Sequence, residues 1–145
     1  MENKMTVRFS AIGCNEAFAR SVAASFAAAL DPTLEELTEI KTGVSEAVSN
    51  AIIHGYKENP EGLVELECTY DDTRSVKITV RDWGCGIENV AKAREPMFTT
   101  GAAEDRSGMG FTVMESFMDR VEVDSEIGKG TAVMMTKRLD LCNER

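Results

Sequence analysis

One histidine stands in 145 residues, and the four cysteines (Cys14, Cys68, Cys85 and Cys142) form no C-x-x-C pair. These shortages speak against a zinc site, which needs several nitrogen or sulfur ligands at close spacing. The cysteines are therefore read as reduced thiols. Cys68 is expected to pack on a strand, and Cys85 to sit in a glycine turn where an alkylating agent would block a nearby site. No apolar run approaches the ~18 residues of a membrane span, and no secretory pattern opens the chain. The expected compartment is the cytoplasm, with no membrane contact. Positive charge is also short: 16 Lys and Arg against 25 Asp and Glu, a net charge of -9. Phosphate backbones need the opposite sign, which argues against direct nucleic-acid binding. The acidic balance would instead steer toward a partner with a basic face. The P-loop pattern is missing, as is the full dinucleotide glycine pattern. So are the protein-kinase glycine loop and the histidine-arginine-aspartate catalytic loop.

What is present reads as one domain over 1–145, without internal repeat or linker. Residues 5–12 alternate as a half-buried strand. Residues 15–30 carry Phe18, Val22, Phe26 and Leu30 at helical spacing. Asp31-Pro32-Thr33 is a stop and restart, with Thr33 and Glu36 fitting a capping box. Leu34, Leu37, Ile40, Val44, Val48 and Ile52 then predict a helix to about Tyr56. Two strands follow, lined by Val64, Leu66 and Cys68 and by Val76, Ile78 and Val80, with a hairpin turn at Asp71-Asp72. Residues 88–108 lack sustained periodicity, which inside a compact domain points to a functional lid, approximately 94–108. A helix over 109–119 and two final strands around Gly128-Lys129-Gly130 complete the order. The fold class expected is α+β: a two-layer α/β sandwich, helices on one face of a mixed sheet.

Three separated motifs carry chemistry. Glu46 and Asn50 lie four apart on the long helix and share a face. The pair suits a base and a metal ligand, or an ordinary solvated surface. His54 continues that line as a phosphoacceptor or a plain helix-end residue. Asp82 ends a strand before Gly84, Gly86 and Ile87. Its carboxylate suits an adenine amino group, and the glycines allow positive φ and close backbone approach; a simple strand-end turn is the alternative. Ser107-Gly108-Met109-Gly110-Phe111 opens a helix, where free N–H groups and the positive dipole end favour phosphate.

Taken together, helix Glu/Asn, strand-end Asp-x-Gly-x-Gly-Ile, lid and Gly-x-Gly-Phe resemble the GHKL ATPase superfamily, which has the Bergerat fold, over roughly residues 35–137. A narrower resemblance covers nearly the whole chain. The run 46–56 (Glu46 to Tyr56), Pro96-Met97-Phe98-Thr99-Thr100, Glu104 to Phe111, the Asp31-Pro32-Thr33 corner and Gly128-Lys129-Gly130-Thr131 look like the anti-sigma F family of sporulating bacteria. Two positions depart from that pattern: Trp83, usually small, polar or acidic, and Gly101, frequently lysine.

The resemblance implies an ATP-dependent serine kinase that phosphorylates an anti-anti-sigma protein and also sequesters a sigma factor. It implies Mg²⁺ on Asn50, Glu46 as base, Asp82 on adenine, and Arg106 on the γ-phosphate unless that arginine is merely solvated. Gly84, Gly86, Ile87, Thr99, Thr100, Ser107, Gly108, Met109, Gly110, Phe111 and Thr131 would surround ATP or ADP. Homodimers are a family property, with strand 5–12 a candidate edge. Arg20, alone among apolar neighbours, is either a partner contact or an innocent surface arginine. A different sigma factor, or a binding module gated by ATP without transfer, are the competing functions.

Overall fold

The computed structural model describes residues 2–95 and 107–140. Strand β1 (Asn3–Ser10) leads to helix α1 (Asn15–Ala27), which tightens into a 3₁₀ turn over Ala28–Leu30. Asp31 turns the chain with φ of 52°. Helix α2 (Leu34–Asn50) starts on the predicted capping box: Glu36 N–H donates to Thr33 Oγ1 (3.0 Å) and Thr33 N–H to Glu36 Oε1 (2.8 Å). The same Glu36 accepts from Asp140 N–H (2.9 Å), which ties the helix start to the end of the sheet. Strands β2 (Leu63–Tyr70) and β3 (Ser75–Asp82) form the expected hairpin. Then come the short helix α3 (Val90–Ala93), helix α4 (Ser107–Phe117), and strands β4 (Arg120–Glu126) and β5 (Gly130–Arg138).

The five strands stand in the order β1-β2-β3-β5-β4, and every pairing is antiparallel. The two-layer α+β expectation is met, but the mixed sheet is not. The reason is topological. Two helices between β1 and β2 return the chain to the end it left, so those strands oppose each other. β4 runs parallel to β3, yet β5 folds back from its hairpin and inserts between them.

The core lies between the sheet and the helices. Val64, Leu66, Cys68, Val76, Ile78 and Met135 meet Ile40, Val44, Val48 and Met114, all fully shielded from water. Each such aliphatic side chain contributes roughly 1.5–3 kcal/mol by leaving water. Two expected core residues fall outside it. Phe18 is 70% exposed and Leu34 84% exposed. On α1 the buried face is alanine instead (Ala19, Ala23, Ala24, Ala27). Small side chains let α1 lie close; Val22, Phe26 and Leu30 pack at the margin of the core, and only Phe18 of that series is turned out. Burial pushes the Cys68 thiol up to about 12, so it stays protonated and inert.

On the other face of the sheet, Glu65 bridges Arg8 on β1 (2.9 Å) and Arg81 on β3 (3.1 Å). Opposite charges directly across neighbouring strands stabilise the register. Among the described residues no helix is long and apolar enough to cross a membrane.

Candidate nucleotide site

The site begins where α2 ends. Directly after Asn50 the helix widens into a π turn over Ala51–Gly55, with Tyr56 N–H donating to Ala51 O (3.0 Å). Such widened turns recur at functional sites. This one delivers Gly55 and Tyr56 to the glycine turn that follows β3. Cys85 N–H donates to Gly55 O (2.9 Å), and Trp83 N–H donates to the Tyr56 hydroxyl (2.7 Å). That hydroxyl donates in turn to Leu63 O (2.6 Å). Gly128 N–H closes the other side on Cys85 O (2.9 Å).

The glycines of the turn are required by this packing. A Cβ on Gly84 would stand 2.0 Å from Gly55 O. Gly86 has φ of +78°, and its Cβ would stand 2.3 Å from Glu126 O. Sequence reasoning assigned both glycines to close approach of a ligand. Gly86 and Ile87 do line the cavity, but Gly84 does not; it lets backbone approach backbone.

Asp82 is buried. Its carboxylate accepts N–H bonds from Gly84 (2.9 Å to Oδ1) and from Thr131. Burial pushes its carboxyl above the usual range, and the two N–H bonds pull against that shift. Desolvation is the larger effect.

Asp82 lies on a cavity of about 700 Å³, which is within the range of small-molecule sites. Asn50, Gly86, Ile87, Phe111 and Thr131, expected site residues, share its wall. Glu46 stands one turn before Asn50. A Cβ added to Gly110 would lie 3.1 Å from Asn50 Nδ2, 3.3 Å from Asn50 Oδ1 and 3.4 Å from Glu46 Oε2. The two α2 side chains therefore converge on the first turns of α4, whose N-terminal N–H groups favour an anion. Asn50 Nδ2 is buried without a hydrogen-bond partner among the described residues. A buried carboxamide left in that condition suits a ligand that completes it. The donor set thus fits a purine nucleotide with Mg²⁺: an acceptor at one end, and at the other a hard amide oxygen beside a helix start. No group of three or more His, Cys, Asp or Glu suited to a metal occurs among the described residues, so the ion would depend on Asn50 and the ligand's own oxygens.

Several lining residues were not picked out as site residues in the sequence: Gly55, Lys57, Asn89 and Lys92. Gly55 ends the π turn and Lys57 follows it, and no motif announces the turn's extra width. Lys92 belongs to α3, a helix of four residues inside a stretch without periodicity. His54, read as a helix-end residue or phosphoacceptor, lies in the π turn and lines the cavity. Arg94 opens the expected lid segment and is anchored: it donates to Glu115 (2.8 Å) and to Val121 O (2.8 Å). Thr99, Thr100 and Arg106 lie outside the described residues. Ser107, Gly108 and Met109 contribute backbone to the start of α4. Arg20 sits on α1, away from this wall, paired with Glu16 (2.8 Å).

Comparison with known proteins shows the family. Residues 15–137 match the family described as the histidine kinase-like ATPase domain. Anti-sigma F factors of Bacillus subtilis and Bacillus cytotoxicus are each 55% identical to this chain, covering 99% of it and 100% of the relative. That of a Geobacillus strain is 54% identical over the same shares. Among solved structures, the RsbU and RsbW domains of a Mycobacterium tuberculosis protein superpose with a TM-score of 0.66 at 18% identity, covering 94% of this chain and 32% of that one. A blue-light activated histidine kinase of Erythrobacter litoralis gives 0.62 at 20% identity, covering 86% and 42%. At those identities the likeness concerns the fold.

Proposed function

Because the chain belongs to the histidine kinase-like ATPase family, and within it to the anti-sigma F factors, we propose that it binds ATP in this cavity and acts as a protein-serine kinase. Its substrate would be an anti-anti-sigma protein, and its second partner a sporulation sigma factor that it holds inactive. The observation that carries the catalytic part is the convergence of Glu46 and Asn50 on Gly110 at the start of α4.

Each residue then has a task. Asp82 accepts a hydrogen bond from the adenine amino group. Asn50 would hold Mg²⁺ through its side-chain oxygen, and the ion would supply positive charge against the phosphates. The backbone of Ser107, Gly108, Met109 and Gly110 cradles the phosphates, and the family resemblance adds Thr99, Thr100 and Arg106 to the nucleotide-binding residues. Glu46 takes the proton from the attacking serine hydroxyl. The serine oxygen bonds to the γ-phosphorus, the bond to the β-phosphate oxygen breaks, and ADP leaves. Positioning and charge account for most of such a reaction, which needs little covalent help from the protein.

Partner contacts lie elsewhere. Exposed Phe18 and half-exposed Arg20 on α1 suit a protein surface, and the unpaired edge of β1 suits a second copy of the chain.

The test is transfer of label from γ-labelled Mg-ATP to the serine of a candidate anti-anti-sigma protein, beside a Glu46→Gln variant. Labelling that the variant loses establishes kinase and base. ATP binding without transfer would make the chain a nucleotide-gated binder.

A further inference from the structure

Directly after the π turn the chain reverses through Tyr56-Lys57-Glu58-Asn59, where Asn59 N–H donates to Tyr56 O (2.9 Å). Both central residues are left-handed: Lys57 has φ of 51° and Glu58 of 65°. That is the pattern of a type I′ turn, which ordinarily takes Asn-Gly because a Cβ there crowds the following carbonyl. Among the described residues the non-glycines with positive φ are Asp31, Lys57, Glu58 and Arg74, and of these only Lys57 lines the cavity. The turn is held by its surroundings. Glu58 N–H donates to Ile52 O (2.8 Å), and the Tyr56 hydroxyl is fixed between Trp83 N–H and Leu63 O. Backbone strain that neighbours enforce beside a cavity points to a use for the side chain that bears it.

We propose that Lys57 is a ligand-binding residue that reads the negative charge of the nucleotide's phosphate chain. This deepens, and rests on, the nucleotide reading of the cavity. Lys57 makes no ion pair among the described residues, so its charge has no counterion there. The chain as a whole carries -9, a field that repels a polyphosphate. On the cavity wall the titratable residues are His54, Lys57, Asp82, Glu88 and Lys92. Two lysines from separate elements, the turn after α2 and the short helix α3, offset the two carboxylates. The wall is therefore close to neutral in a strongly acidic chain. An ammonium on a flexible stem binds phosphate as a point charge, without the fixed fork of an arginine. The turn fixes where that stem begins. An uncharged side chain in the same turn would keep the fold and lose the attraction.

The experiment titrates Mg-ATP in competition with a fluorescent ADP on the purified full chain. It is run at about 50 mM and at about 500 mM NaCl, between which the screening length falls from roughly 14 Å to roughly 4 Å. Lys57→Gln should weaken Mg-ATP about fivefold at low salt, the upper worth of an exposed charge pair, and less than about twofold at high salt. Lys57→Arg, which keeps the charge, should stay within about twofold of wild type at both. Lys57→Gly should melt no lower than wild type, because glycine adopts the left-handed region without strain, and yet lose Mg-ATP affinity as Lys57→Gln does. Glu58→Gly is the control in the same turn. Glu58 is equally left-handed but does not line the cavity, so this variant should leave Mg-ATP affinity within about twofold of wild type.

A loss that persists at high salt, or that Lys57→Arg shares, would mark a structural residue and overturn the proposal. So would a Lys57→Gly chain that melts below wild type, or a Glu58→Gly chain that loses as much affinity. A wild-type chain that does not bind Mg-ATP would overturn the nucleotide reading and this inference with it. Wild-type Mg-ATP binding that Lys57→Gln leaves unmoved at low salt overturns the inference alone.

Discussion

At one end of the cavity Asp82 accepts two backbone N–H bonds, and the glycine turn beside it is tied to Gly55, Tyr56 and Gly128. At the other end Asn50 keeps its amide nitrogen without a partner among the described residues, next to Gly110. The first end is set by backbone meeting backbone. The second end keeps a polar group unsatisfied, and in the proposed function a ligand and its ion would complete it. A base must be read by shape and polarity, which rewards rigidity; a phosphate that is to leave must be held by groups that complete their bonding only with it present. In the proposed function one domain would serve both needs by placing them on different elements: the sheet and its turns for the base, facing helices for the phosphates.

The largest effect tests the open end. Glu46→Gln should lower phosphoryl transfer about a thousandfold, within the span of general-base losses, while ATP affinity changes less than about threefold. Single-turnover labelling beside equilibrium titration separates the two. Parallel loss of binding would mean that Glu46 holds the ligand rather than the proton.

Two glycine substitutions set the ends against each other. Gly84→Ala drives a Cβ into Gly55 O and should destabilise the fold by roughly 3 kcal/mol, the upper range for overpacking. Gly110→Ala meets only the ends of side chains and gains helix propensity worth up to about 1 kcal/mol. It should melt no lower than wild type and yet bind ATP more weakly, because Asn50 and Glu46 must shift. Denaturant unfolding and nucleotide titration of both variants check this. The reverse pattern would dissolve the distinction between the ends.

Asp82→Asn should weaken ATP roughly 10- to 100-fold, the range for a hydrogen bond to a charged group. It should also stabilise the ligand-free fold near neutral pH. The sign follows from burial. The folded carboxyl titrates above its unfolded value of about 3.9. Its contribution is most favourable below that value and declines as pH rises and the unfolded chain ionises first. The stability gap between variant and wild type should therefore close as pH falls below about 4. Thermal melts across pH decide it, and a gap that persists in acid would assign the cause to packing.

The smallest effect is chemical. Iodoacetamide at neutral pH should modify exposed Cys14 and Cys85 and spare Cys68, buried and protonated on β2. ATP should slow the reaction at Cys85 alone, because that thiol sits in the turn between Asp82 and Gly86. Peptide mass spectrometry reads the sites. Equal protection of Cys14, far along the chain on the α1 side, would indicate a general tightening instead.

Local chemistry explains how much was legible in advance. The capping box at Thr33 and Glu36, the β2–β3 hairpin and the convergence of Glu46 with Asn50 each depend on spacing within one element or on a single turn. They were read from sequence, and the fold meets them. Phe18 and Leu34 were misplaced because periodicity gives a face and not its direction. On α1 the alanine face packs closest to the core, Val22, Phe26 and Leu30 pack at its margin, and Phe18 alone of that series points outward. The mixed sheet failed for a longer-range reason: where a hairpin inserts depends on which strand edge is open when it arrives.

The sequence by itself determined the elements, the nucleotide motifs and the family, because helical and strand periods, caps and glycine turns are local and motif order survives folding. Tertiary structure alone decided that β5 lies between β3 and β4, that Gly84 packs directly on Gly55 O, and that Ser125 on β4 meets Thr131 on β5. Those are contacts between segments whose distance along the chain carries no information about their distance in space. They arise where the sheet closes against the helices and brings separate turns into van der Waals contact.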